Sequence, residues 1–95
     1  MKHFTVGNYD IVGTSLQGRI DTSYQRLVEV FGKPTLYTDD ETDGKVSCEW
    51  VVKFSDGIVA TIYDWKEDIS YQGVTDWHVG GHTQHALYNV LDEVI

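Results

Sequence analysis

The chain has 95 residues, 41% of them hydrophobic and 13% aromatic, with 15 acidic against 7 basic side chains and a formal net charge of −8. That length holds one domain with a single core, and the hydrophobic share is enough to fold without a staple. The charge argues against nucleic acid and anionic membrane surfaces as direct partners, because Lys2, Arg19, Arg26, Lys33, Lys45, Lys53 and Lys66 are scattered and form no basic patch.

In chain order, residues 3–6 and 9–12 read as short strands separated by the turn dipeptide Gly7 and Asn8, and residues 13–18 as a polar loop. A helix follows. Asp21 or Thr22 caps it, Gln25 completes a capping box with Thr22, and Tyr24, Leu27, Val28 and Phe31 form its apolar stripe. Gly32 stands where a left-handed C-terminal residue is wanted, and Pro34 prevents the helix from resuming. Residues 38–44 (TDDETDG) form an acidic turn with nothing apolar to bury.

Residues 46–54 then alternate, with Val46, Cys48, Trp50, Val52 and Phe54 on one face. Asp56 and Gly57 are the preferred pair for a two-residue hairpin turn into a return strand at 58–66. That turn pairs Phe54 with Val59, Val52 with Thr61, Trp50 with Tyr63 and Cys48 with Trp65. A bulged three-residue turn shifts the pairing by one and exchanges the faces of the return strand. Residues 75–79 are a further strand, with Trp77 on one face and Asp76 and His78 on the other, ended by Gly80 and Gly81. From Thr83 a final helix carries Leu87, Val90, Leu91 and Val94 as its stripe.

These elements make an α+β fold in which an antiparallel β-meander carries two amphipathic helices on one face, a two-layer domain over residues 1–95. The opposite face would display Glu49, Val51, Lys53, Ala60, Ile62 and Asp64. It is half apolar, which suits a partner or a second copy of the chain, so a homo-oligomer is expected.

Two segments carry candidate ligand chemistry. GTSLQGRI at 13–20 has the glycine spacing of a phosphate loop but lacks its lysine and the following Ser/Thr, which argues against an NTPase. Backbone amides of Gly13 and Thr14, with Ser15, Gln17 and Arg19, could still hold one anionic group; the alternative is a turn whose polar groups satisfy one another. In WHVGGH at 77–82, Gly80 and Gly81 permit close backbone approach, and Trp77, His78 and His82 could stack on a base; the alternative places Trp77 in the core.

Other chemistries find little support. His78, His82 and His85 form a single group without the second cluster of a zinc site, so neither a metal nor another cofactor is expected. Cys48 alternates inward and reads as an inert thiol, and Ser15 has no evident His/Asp set, so no catalytic residue is assigned. In the two-residue register Glu49 and Asp64 lie opposite each other, where like charges destabilise a sheet unless a partner's cation meets them. With Asp39, Asp40, Glu41 and Asp43 they define an acidic partner-binding surface, or else one that only keeps the chain soluble. The lone cysteine, the lack of a membrane-length apolar run and the lack of a secretion signal point to cytoplasm.

The segments GTSLQGRI, FGKP, EWVVKFSDG, ATIYDWK and DWHVGGH, spread from Gly13 to His82, resemble those of a group of small bacteriophage proteins of unknown function. The resemblance implies a phage origin and the host cytoplasm, and carries no catalytic residue over. Small phage accessory proteins frequently disarm host defence. The expectation is therefore a non-enzymatic protein that sequesters a small nucleotide-derived immune signal, or, alternatively, an acidic DNA-mimic-like inhibitor of a host defence protein.

Overall fold

The computed structural model describes residues 3–37, 47–65 and 70–95. Among these the chain forms an antiparallel sheet of six strands and two helices, an α+β fold. The strands are β1 (Phe4–Val6), β2 (Ser15–Asp21), β3 (Leu36–Tyr37), β4 (Cys48–Phe54), β5 (Val59–Tyr63) and β6 (Asp76–Gly81). The helices are α1 (Tyr24–Phe31) and α2 (His85–Val94). Sheet order is β1-β4-β5-β6-β2, with β3 sharing the β1 edge of β4. The acidic residues Asp39, Asp40, Glu41 and Asp43 lie outside the described residues.

The core follows from alternation. Cys48, Trp50, Val52 and Phe54 of β4 are buried with Ala60 and Ile62 of β5, Trp77 and Val79 of β6 and Ile20 of β2. Leu27 and Phe31 of α1 and Ala86 and Val90 of α2 complete the same cluster. Trp50 packs edge-on against Trp77 at 5.5 Å, and each indole N–H finds a carbonyl, Gly32 O at 2.9 Å and Val74 O at 3.1 Å. Burying an indole is favourable only when its donor is satisfied in this way.

Helix α1 forms where the stripe predicted it, with Leu27 and Phe31 buried. Its cap is Ser23, whose Oγ accepts the Arg26 N–H at 3.0 Å. Asp21 still belongs to β2 and Thr22 is held to Thr75 O by its backbone N–H, so the helix starts one residue later than predicted and Ser23 takes the cap position. Gly32 ends the helix at φ 80°, as its position required.

Four expectations are corrected. Residues 9–12 are not a strand, and residues 15–18 belong to β2 rather than to a loop. The hairpin uses the bulged turn: Glu49 pairs with Tyr63, Trp50 with Ile62 and Lys53 with Val59. Ser55, Asp56 and Gly57 form a three-residue connection in which Gly57 takes φ 86° and the Phe54 N–H reaches Ile58 O at 2.8 Å. Core demand decides between the turns, because this register turns Ala60 and Ile62 inward, both fully buried, and leaves the bulkier polar-tipped Tyr63 outside. Gly80 and Gly81 do not end β6 but continue it, pairing with Leu16 and Ser15 of β2.

Candidate functional site

The sheet face opposite the buried core cluster is fixed by the observed register. Cross-strand partners share a face, so Glu49, Tyr63, His78 and Arg19 form one row running from β4 through β5 and β6 to β2. Val51, Thr61, Gly80 and Leu16 form the next row, and Thr5, Lys53 and Val59 the one beyond. The predicted face exchanged its β5 members: Ala60, Ile62 and Asp64 point inward and Val59, Thr61 and Tyr63 outward.

Half of this face is covered by the chain itself. β1 and β2 lie at opposite edges, so residues 7–14 must cross the sheet. Eight extended residues reach about 26 Å, and four strand spacings amount to about 19 Å, so the crossing is feasible without slack being wasted. The Lys53 ammonium sits over the Tyr9 ring at 5.8 Å, which puts the crossing on this outer face. The Tyr9 hydroxyl also bonds to Thr5, and Thr14 closes the segment by donating its hydroxyl to Ile11 O at 2.8 Å. Val51 and Thr61 are accordingly buried, at 5% and 3% exposure. The centre of the face at Val51 and Thr61 is thus covered internally, while Leu16 and Leu36 at its margins remain exposed.

The row Glu49–Tyr63–His78–Arg19 differs. Tyr63 and His78 stack at 5.4 Å and 21°, and Trp65 stands edge-on to Tyr63 at 6.4 Å and tilted to His78 at 6.5 Å. Trp65 and Arg19 are exposed. The Arg19 guanidinium contacts the Asp76 carboxylate at 3.3 Å, with both side chains more than half exposed, so solvent screening leaves this ion pair weak. Two polar groups in the row have no partner among the described residues: Nδ1 of His78, which is buried, and the half-buried carboxylate of Glu49. Burial pushes the Glu49 carboxyl above its usual range. Burial and then the Glu49 charge push the Tyr63 phenol up as well. A buried polar atom without a hydrogen bond, as Nδ1 of His78 is among the described residues, is uncommon in folded proteins and asks for an explanation, whereas the Glu49 carboxylate is only partly shielded.

The two glycine-bearing segments of the sequence are brought together as neighbouring strands. Arg19 and His78 become direct partners, and the Gln17 amide, at a bulge between Leu16 and Gly18, donates to Gly81 O at 2.9 Å. Gly13, Thr14 and Ser15 are turned to local bonding at the far end of the same strand pair, where Gly13 approaches the His82 ring. The predicted amide cradle over 13–18 is therefore replaced by a β ladder. Trp77 is wholly buried and serves the core. Gly80 and Gly81 are tight packing positions: a Cβ on the first would strike Thr61 Oγ1, and on the second Ala86 Cβ.

Asp64 does not face Glu49. It is 2% exposed, and its carboxylate accepts the Ser47 N–H at 2.8 Å, the Cys48 N–H at 3.0 Å and the Ser47 hydroxyl. It anchors the start of β4 and is removed from any acidic docking surface. Cys48 is buried and its thiol is pushed up to about 12, by burial first and then by the Asp64 and Glu49 charges. Such a thiol is not a nucleophile near neutral pH. Among the described residues no group of three or more His, Cys, Asp or Glu side chains could hold a metal ion, and no helix is long and apolar enough to cross a membrane.

Tyr63 and Trp65 were not among the residues the sequence singled out. Their signal was the bulged alternative of the hairpin, which alone places Tyr63 opposite Glu49 and beside His78. Compared with known proteins, the chain matches no family model, no curated protein and no solved structure.

Proposed function

We propose that this is a non-enzymatic phage accessory protein that sequesters a small nucleotide-derived immune signal in the host cytoplasm, using the uncovered row of the outer face. The observation that carries the reading is the buried His78 Nδ1, on a ring stacked on Tyr63 and without a hydrogen-bond partner among the described residues, between an exposed guanidinium and a half-buried carboxylate. Aromatic faces suit a base, and Arg19 suits a phosphate, which it can grip in place of Asp76. From Arg19 to Glu49 the row crosses three strand spacings, about 14 Å, a span that a base with its sugar and phosphate can fill. The reading takes both helices as one layer behind the sheet, and a homo-oligomer as the working assembly. It accommodates the charge of −8 because the ligand needs only one local cation, and the remaining acidic surface turns away bulk nucleic acid.

Native mass spectrometry of the protein, alone and with a panel of cyclic and linear nucleotides, tests this directly. The expected result is a stoichiometric adduct on a defined oligomer, lost in Arg19→Ala and Tyr63→Ala while both variants keep the wild-type circular dichroism spectrum. A protein that ignores every nucleotide overturns the reading and turns the search toward a protein partner.

A further inference from the structure

Resting on the binding reading above, we infer that the ligand's base is guanine, held through Glu49 by the two adjacent N–H donors of its Watson–Crick edge. Glu49 is half-buried on the same face as Tyr63, directly across from it, and no hydrogen bond or ion pair among the described residues engages it. A half-buried carboxylate is only partly solvated, so a partner that donates hydrogen bonds to it is favoured over one that does not. Lys53, the nearest cation on this face of β4, is turned to the Tyr9 ring instead.

The partner must also be flat, because the group beside Glu49 is an aromatic cluster. Tyr63 stacks on His78 on one side, and Trp65 stands edge-on to it along the strand. A base seated against these rings presents its edge to Glu49, and the four common bases differ in what that edge offers. Guanine alone places two donors side by side, N1–H and N2–H, which a carboxylate accepts together. Adenine and cytosine each offer one donor next to an acceptor lone pair that repels a carboxylate, and uracil offers one donor flanked by carbonyl oxygens. Across the row, Arg19 takes the phosphate and His78 Nδ1 lies between, within reach of the base or the sugar.

Calorimetric titration with GMP, IMP, AMP and UMP tests the assignment. GMP is expected to bind at least roughly tenfold more tightly than AMP or UMP, the size of a good bidentate pair, with IMP, which lacks the exocyclic amine, in between. Glu49→Gln is expected to abolish the preference for GMP, bringing its affinity to within about threefold of that for UMP in the same variant. Equal affinity for the four nucleotides, or a preference for AMP or UMP, overturns the guanine assignment and leaves the sequestering reading standing. The wild-type titrations decide this point even should the variant fail to fold. A GMP preference that survives in a folded Glu49→Gln variant overturns the role of Glu49. Failure of all four nucleotides to bind the wild type, together with a blank panel in the mass spectrometry above, overturns both readings.

Discussion

Asp64 and Glu49 stand close in the fold and are treated in opposite ways. The Asp64 carboxylate accepts two backbone N–H groups and a hydroxyl at the start of β4, so its negative charge is fully used. Asp64→Ala strands the Ser47 and Cys48 amides, and is expected to lower stability by about 2–4 kcal/mol, read by urea denaturation. Glu49 is the reverse case. Burial raises its carboxyl in the folded state, so the folded protein holds that proton more tightly than the unfolded chain does. The protonated form carries no penalty at low pH, and stability drops as pH rises from the ordinary carboxylate range through the raised folded value. Glu49→Gln removes this dependence. Its denaturation midpoint should approach that of the wild type in acid and exceed it at pH near 7, and a wild-type protein that gains stability over that interval relative to the variant would contradict the assignment.

At the scale of elements, the parts governed by local chemistry were legible in the sequence. Helix α1 announces itself through Tyr24, Leu27, Val28 and Phe31 and stops at Gly32, whose positive φ needs no distant partner. The hairpin was legible in kind but not in register, because Asp56 and Gly57 serve a two-residue turn and a bulged three-residue turn equally well. The choice is made by Ala60 and Ile62 filling the core cluster, a tertiary demand. β2 was missed because its alternate residues are polar and its partner β6 lies some sixty positions along the chain, as in the pairing of Arg19 with His78. The candidate site inherits both difficulties: Arg19 and His78 could be named from sequence, whereas Tyr63, Trp65 and the outward role of Glu49 required the register. Gly80 and Gly81 were read as a strand end with room for a ligand, and instead let β5, β2 and α2 close on β6. Gly81→Ala drives a methyl against Ala86, and should cost about 1–3 kcal/mol and lower the melting temperature, without altering nucleotide affinity in the surviving folded fraction.

The whole molecule is a sheet whose centre and margin differ in kind. β4, β5 and β6 each have strands on both sides and supply most of the buried aromatic and branched side chains, whereas β1, β3 and β2 are marginal. Native-state hydrogen exchange should show the slowest amides in β4 and β5, opening only with global unfolding, and faster exchange at the outward-facing amides of β2. Equal protection across all strands would mean that the sheet opens as a single unit.

The crossing of residues 7–14 over the sheet has a consequence for the order in which the ribosome delivers the parts. β2 is made early, yet among the described residues it pairs only with β6, so its ladder cannot form until β6 has been made, after β4 and β5. When β6 arrives, β2 docks beside it, the Tyr9 segment is drawn across the face, and Arg19 reaches His78 in the same event. A nascent chain stalled before residue 76 already carries Glu49 opposite Tyr63 in its hairpin, but it lacks His78 and the strand that brings Arg19 alongside, so the row stays in two separate pieces until β6 is made.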